Sequence, residues 1–259
     1  MLALHGVGVL VTRPEQQATP LCRLLESAGA VALRLPAIDI RPAPDSRGIR
    51  FRLGALEAFD LVIFTSVNAV RYGSALLDQR PDLKIAAIGP ATARALGEAG
   101  FSVTVTPAGV FDSESLLLQP ALARPAGRRI LLIKGVNGRD LLEVQLTQRG
   151  AQVVVAEVYQ RERASPSAAT LEALEVEFAA GRIQVVTATS VEIAAGLLAI
   201  ATPALRRDFD RVHWLVPGAR VAAALRDRGV TGPILQASTA EDQDLVAAVM
   251  RWRSSASGA

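Results

Sequence analysis

Short, mainly apolar runs alternate along the chain with longer segments in which apolar residues recur every three or four positions. Strand-sized runs lie near 7–12, 31–35, 60–64, 84–88, 102–105, 129–134, 152–155, 183–187, 211–216 and 233–236, and amphipathic helical patterns follow most of them. Strands that are apolar on both faces and separated by helices predict parallel sheets covered by helices, an α/β fold. Gly29, Gly100, Gly150 and Gly229 stand just past helical patterns, where a left-handed residue ends a helix.

The same pattern repeats at long range. "VLVTRPEQQATPLCRLLESAGAVALRLPAIDI" aligns with "ILLIKGVNGRDLLEVQLTQRGAQVVVAEVYQR", bringing Gly29 onto Gly150 and Arg13 onto Lys134. "DLVIFTSVNAV" aligns with "IQVVTATSVEIA", Ser66 onto Ser190, and "AIGPATARALGEAGF" aligns with "LVPGARVAAALRDRGV", Gly100 onto Gly229. The order is one unit, a second unit, then both again. That order predicts two similar domains, each a parallel five-stranded sheet flanked by helices, and strand-like character at Ile38 to Ile40 and Val158 to Arg161 predicts that a two-stranded linker joins them. A tandem reading breaks the chain near "QPALARPAG". A nested reading inserts a domain of residues 42–157 into one built from 1–37 and 166–259, with 36–41 and 158–165 as paired linkers. Proline punctuation is present at both sets of boundaries.

Composition narrows what such a fold works on. The chain has 259 residues, 50% of them apolar and 20% charged, enough to bury one large core or two smaller ones. No apolar run approaches the roughly 18 residues of a membrane-spanning helix. The opening "MLALHGVGVLVTRP" lacks the basic start and small-residue cleavage site of a secretion signal and fits a first strand, so a cytoplasmic location is expected. The single cysteine, Cys22, excludes an internal disulfide and lies on the apolar side of a helical pattern with Leu21 and Leu25, as a packing residue does. The two histidines, His5 and His213, have no cysteine or carboxylate at ligand spacing, so no metal is expected. Net charge is +3 with scattered basic residues and only 4% aromatic residues, which serves base stacking poorly. A small anionic ligand suits that balance better than nucleic acid.

Candidate chemistry sits where strands run into helices, because open parallel sheets bind ligands beyond the carboxyl ends of their strands. Thr65 and Ser66 follow "LVIF", and Thr189 and Ser190 follow "VVTA". Each serine can cap its helix, and the free backbone N–H groups of a helix start suit a carboxylate. A plain N-cap role explains both serines equally well. Arg13 and Lys134 each follow the first strand of their repeat and can face a ligand or solvent. Gly89 and Thr92 in "AIGPATARAL", and Gly218 and Arg220 in "VPGARVAAAL", mark a further turn that lets a ligand approach the backbone. No GxGxxG or GxxxxGK[ST] motif is present, and no Ser-His-Asp or Cys-His set can be assembled. Tyr159, one of two tyrosines, lies in the expected linker, where its phenol can donate a proton or simply pack.

Taken in order, "LVTRP" (10–14), "DLVIFTSVNAV" (60–70), "AIGPATARAL" (87–96), "RGAQVVVAEVYQR" (149–161) and the Thr189-Ser190 turn resemble the uroporphyrinogen-III synthase family across nearly the whole chain. The resemblance implies the nested arrangement, with a site in the cleft between two domains. It implies cofactor-free closure of linear hydroxymethylbilane to uroporphyrinogen III, with loss of water and inversion of the last pyrrole ring. By the same resemblance Ser66, Asn68 and Tyr159 belong to the site, with Tyr159 the candidate catalytic residue; a monomer is expected. Arg13, Thr65, Ser66, Asn68, Gly89, Thr92, Lys134, Thr189, Ser190, Gly218 and Arg220 are candidate substrate-binding residues. The turn at Gly218 departs from the family's Gly-Pro-Thr-Thr pattern, with Arg220 the candidate replacement for the hydroxyl contact expected there. A non-enzymatic two-domain anion-binding protein, or a catalytically silent relative, shares the same motifs.

Overall fold

The computed structural model describes residues 3–45, 48–49, 58–77 and 83–257. Its strands are β1 (Gly8–Val11), β2 (Val31–Arg34), β3 (Ile38–Pro42), β4 (Leu61–Phe64), β5 (Ile85–Ala87), β6 (Arg129–Gly135), β7 (Gln152–Arg163), β8 (Val185–Thr187), β9 (His213–Val216) and β10 (Ile234–Gln236). They form two five-stranded sheets, ordered β10-β9-β8-β1-β2 and β3-β7-β6-β4-β5. Contacts divide the chain into two compact units, residues 1–39 with 162–259 and residues 40–161, so the chain passes between units within β3 and again within β7.

The first sheet is parallel throughout. Its central strand β1, Gly-Val-Leu-Val, is buried along its whole length, whereas the edge strand β2 is half exposed. Central parallel strands are covered on both faces and read as unbroken apolar runs, which is why these were visible in the sequence. Val9, Val11 and Val185 pack on Leu21, Cys22 and Leu25 of helix Glu15–Ser27 and on Leu245 and Val249 of helix Asp242–Ser257. Burial pushes the Cys22 thiol pKa up, as suits a packing residue. Near the C-terminus, Trp252 Nε1 donates to His213 Nε2 at 3.1 Å and the two rings lie 4.7 Å apart. Burial lowers the His213 pKa and so favours the neutral, accepting imidazole that this bond requires.

The second sheet departs from the all-parallel expectation. β4, β5, β6 and β7 are parallel neighbours. β3 runs the other way along β7: Ala43 N donates to Val158 O, and Ala164 N donates to Ala37 O, so position rises on one strand as it falls on the other. The sheet is therefore mixed. The strand expected at 102–105 reduces to a single bridge between Val105 and Ala86. Thr104 diverts the ladder, since its hydroxyl accepts from Ile85 N and donates to Ile85 O, and Pro107 two residues beyond Val105 has no N–H to continue it. In repeat terms the Val105 segment is the counterpart of β10, and β3 is an addition at the opposite edge. Leu61, Ile63, Ile130 and Leu132 supply this unit's core, against Leu116, Leu122, Leu142 and Leu146.

The four glycines expected past helix ends all take positive φ, from 80° at Gly229 to 98° at Gly29. Gly8 has a different reason. A methyl group there would lie 1.7 Å from the carbonyl oxygen of Arg182, which is backbone and cannot step aside. Gly8→Ala is expected to cost about 3 kcal/mol, at the upper end for overpacking. Gly97→Ala, in a helix with open space at that position, should instead add roughly 0.5–1 kcal/mol. Paired thermal melts of the two variants check both signs.

Candidate functional site

In the unit of residues 40–161, β4 delivers Thr65 and Ser66 to the start of helix Val67–Gly73. Ser66 has extended backbone, and its Oγ accepts from Ala69 N at 3.0 Å, the N-cap geometry expected of it. Thr65 Oγ1 donates to Ile133 O at 3.2 Å, tying the turn to β6. Asn68, in the first helical turn, is buried.

Tyr159 comes to the same place from β7. Pairing of β6 with β7 slips by one residue, Lys134 facing Glu157 but Gly135 facing Tyr159. That irregularity, fixed by Val136 N donating to Tyr159 O at 2.8 Å, re-aims the tyrosine as bulges do. Its ring lies across Gly135, where a methyl group would come within 2.6 Å of Cζ. Tyr72 stacks on it at 6.1 Å between centroids and 26° between planes, and Tyr72 Oη donates to Ile40 O at 2.8 Å. Tyr159 Oη then stands 3.1 Å from Ser66 Oγ. With 5% of its surface exposed, this phenol is held by ring, backbone and hydroxyl contacts.

Elsewhere in this unit, Gly89 starts helix Pro90–Glu98 with extended backbone, and a methyl group on it would press within 2.9 Å of Phe111 Cβ. Thr92 is buried in that helix. Lys134 is also buried, and its Nζ forms a 2.5 Å ion pair with Asp140. A cavity of about 540 Å³ is lined by Lys134 itself together with four carboxylates, Asp45, Asp140, Glu143 and Glu157. So many carboxylates repel an anion, and neither Ser66 nor Tyr159 is part of that lining.

The unit of residues 1–39 and 162–259 carries the repeat-equivalent turn. Ser190 Oγ accepts from Ile193 N at 3.1 Å and caps helix Val191–Ile200. Arg13 is almost fully buried; its Nε donates to Thr189 Oγ1 at 3.3 Å, and its other nitrogens reach Asp242 and the Ala240 carbonyl. Thr12 Oγ1 donates to Thr187 O at 2.5 Å in the buried strand ends beneath. Gly218 opens helix Ala219–Arg226 with extended backbone, and Arg220 is exposed in its first turn. Where the other unit has Tyr159, the aligned residue here is Ile38, a buried apolar side chain.

The structure thus brings Ser66 and Tyr159 into contact, groups Arg13 with Thr189, and gives Arg13 and Lys134 carboxylate partners of their own. Sequence reading missed Tyr72, Asp140, Asp242 and the steric role of Gly135. Tyr72 had a signal, as the other of only two tyrosines and six residues beyond Ser66. Among the described residues, no three or more His, Cys, Asp or Glu are placed to hold a metal ion.

A family model described as uroporphyrinogen-III synthase HemD matches residues 20–247. The chain belongs to the uroporphyrinogen-III synthase family. It is 35% identical to the uroporphyrinogen-III synthase of Escherichia coli strain K12 over 60% of this chain and 65% of that one, just under two thirds of the relative's length. Similarity to the Chlorobaculum parvum uroporphyrinogen-III synthase, at 27% identity, covers 88% of this chain and 92% of the relative. A crystal structure of a mutant uroporphyrinogen III synthase from the extremely thermophilic bacterium Thermus thermophilus superposes with a TM-score of 0.56 and 25% identity, covering 98% of this chain and all of that one. The family match and the structural likeness agree on an α/β fold similar to that of uroporphyrinogen III synthase structures, and the phenol held at Ser66 lies on it.

Arg13 and Arg220, the two candidate arginines, should separate on mutation. Arg13→Ala leaves Asp242 and a peptide carbonyl without their partner and is expected to cost about 3 kcal/mol of stability. Arg220→Ala, at an exposed position, should leave the melting temperature within about 1 °C, since surface changes stay near ±0.5 kcal/mol. Thermal denaturation followed by circular dichroism measures both.

Proposed function

We infer that this chain is a uroporphyrinogen-III synthase that closes hydroxymethylbilane to uroporphyrinogen III, with loss of water and inversion of the last ring. The observation that carries the inference is the family match over residues 20–247. The held phenol of Tyr159 beside Ser66 supports it with a group able to donate a proton.

In this reading Tyr159 gives its proton to the departing hydroxyl. The carbon–oxygen bond breaks with its electron pair on oxygen, water leaves, and the pyrrole nitrogen supplies the electrons that form an azafulvenium cation. The substituted carbon of the last ring attacks first. The resulting spiro intermediate fragments and recloses at the free carbon, and the proton lost there on rearomatisation returns to the phenolate. Every atom is then accounted for without a cofactor. Spontaneous closure gives the other isomer, so most of what the protein contributes is orientation of a reaction that otherwise proceeds wrongly.

Orientation requires a grip on a molecule with eight carboxylates. We propose that residues 1–37 with 166–259 and residues 42–157 act as two domains, with 36–41 and 158–165 as linkers, and that each domain offers a serine-started helix to the substrate. Thr65, Asn68, Gly89 and Thr92 on one, and Thr189, Ser190, Gly218 and Arg220 on the other, form the proposed binding set. Arg13 is proposed to contribute positive potential while paired with Asp242, and Lys134, paired with Asp140, to offset the carboxylates around it, neither acting as a free cation.

Purified protein given freshly generated hydroxymethylbilane should yield uroporphyrinogen III without added nucleotide, flavin or metal. Chromatography of the oxidised porphyrins reads the isomer ratio; isomer I alone at every enzyme level is the result that overturns the assignment and leaves an anion-binding protein. Tyr159→Phe should lower kcat about tenfold to a thousandfold, as loss of a positioned general acid does.

A further inference from the structure

We propose that Ser66 acts on the reaction through Tyr159, donating its hydroxyl hydrogen to the phenol oxygen so that the phenol's own proton stays available to the leaving group. The proposal deepens the synthase reading and rests on the role of Tyr159 within it.

A serine hydroxyl has one hydrogen and two lone pairs. Ser66 uses a lone pair to accept from Ala69 N at 3.0 Å, and its hydrogen is not needed for that cap. Tyr159 Oη lies 3.1 Å from the same oxygen, a contact in which either group can donate. If the phenol donated, its proton would be committed to Ser66 and lost to the substrate. With Ser66 donating, the phenol proton is free, and the bond strengthens as the proton departs, because a hydrogen bond to a phenolate is charge-assisted. An interaction that strengthens along the reaction raises kcat rather than tightening substrate binding.

Geometry fixes the pair. The register slip at Gly135, the ring of Tyr159 laid across that glycine, and the stack of Tyr72 hold the phenol where the serine sits. The repeat supplies an internal contrast. Ser190 makes the same cap to Ile193 N at 3.1 Å, but Ile38 aligns with Tyr159 and offers no polar group. Capping a helix therefore needs only the serine, and the added phenol distinguishes Ser66. Ser66 is a positioning residue in this proposal, and its effect should vanish when the phenol does.

The test is a double-mutant cycle on the full chain, read as kcat and KM for formation of uroporphyrinogen III. Ser66→Gly keeps a tolerated N-cap, costing a few tenths of a kcal/mol in helix stability, so the chain should fold and its melt confirms that it does. Its kcat should fall about tenfold with KM unchanged, the loss of one charge-assisted hydrogen bond. Ser66→Thr, which keeps cap and donor, should restore kcat to within about twofold. In a Tyr159→Phe background Ser66→Gly should cost nothing further. Multiplying losses, a change in KM without kcat, or failure of threonine to rescue would each overturn the proposal. An unchanged kcat in Tyr159→Phe alone overturns it together with the general-acid role. The unaltered chain, assayed alongside, reports separately on the synthase reading: no isomer III from it would overturn both.

Discussion

Parallel strand pairing is the constraint from which the site follows. When β4 pairs with β6, and β6 with β7, all three strands end at one edge of their sheet. Residues distant in sequence are then forced to meet: Ser66 just past β4, Gly135 at the end of β6, and Tyr159 far along β7. A sheet of antiparallel hairpins would send alternate strand ends to opposite edges and separate this set. The long β7 adds the second ingredient. Its later residues turn from the parallel ladder with β6 to the antiparallel one with β3, and Tyr159 sits at that change, where the register is already broken.

The two halves of the repeat share a frame and differ in what they attach to it. Both have a serine capping a helix after a buried strand, and both have a basic residue at the end of the neighbouring strand. Beneath Arg13 the strand ends exchange hydroxyl bonds between Thr12 and Thr187. The residues aligned with them in the other unit are Ile133 and Ile63, which pack as apolar groups. Hydroxyl bonds on one side and a phenol on the other show one frame with different attachments. In both units the buried cation has a carboxylate from its own unit, as the cost of desolvating an unpaired charge demands.

Much of the frame was legible because buried parallel strands leave a plain trace. β1 and β4 are uninterrupted apolar runs, β6 has one at its centre from Ile130 to Ile133, and the glycines past the helices stand at positive φ. What escaped was set by pairing choices that leave no local trace. Residues 102–105 have strand composition, yet the Thr104 hydroxyl takes the bonds that a longer ladder needs. The direction of β3 is decided by its partner and not by its own residues. At the site, Ser66 and Tyr159 were visible as motif positions, whereas Asp242 lies 229 residues from the arginine it holds. Lys134 and Asp140 are close in sequence, but nothing in their spacing distinguishes an ion pair from two solvated charges.

The division of the chain also sets an order of events during synthesis. Residues 40–161 form one unbroken unit, complete in sequence once residue 161 has been made. The other unit must wait. β1 can find β2 early, but its second neighbour is β8, where Val9 and Leu10 pair with Val185 and Val186. At a translation rate of roughly 5–20 residues per second, the interval between making β1 and making β8 is on the order of ten seconds or more. Throughout it, one edge of an entirely apolar strand has unpaired backbone groups, the kind of edge that recruits wrong partners. A nested chain thus trades a compact insertion for a nascent protein with an open seam, and places the greatest demand for chaperone protection on its first forty residues.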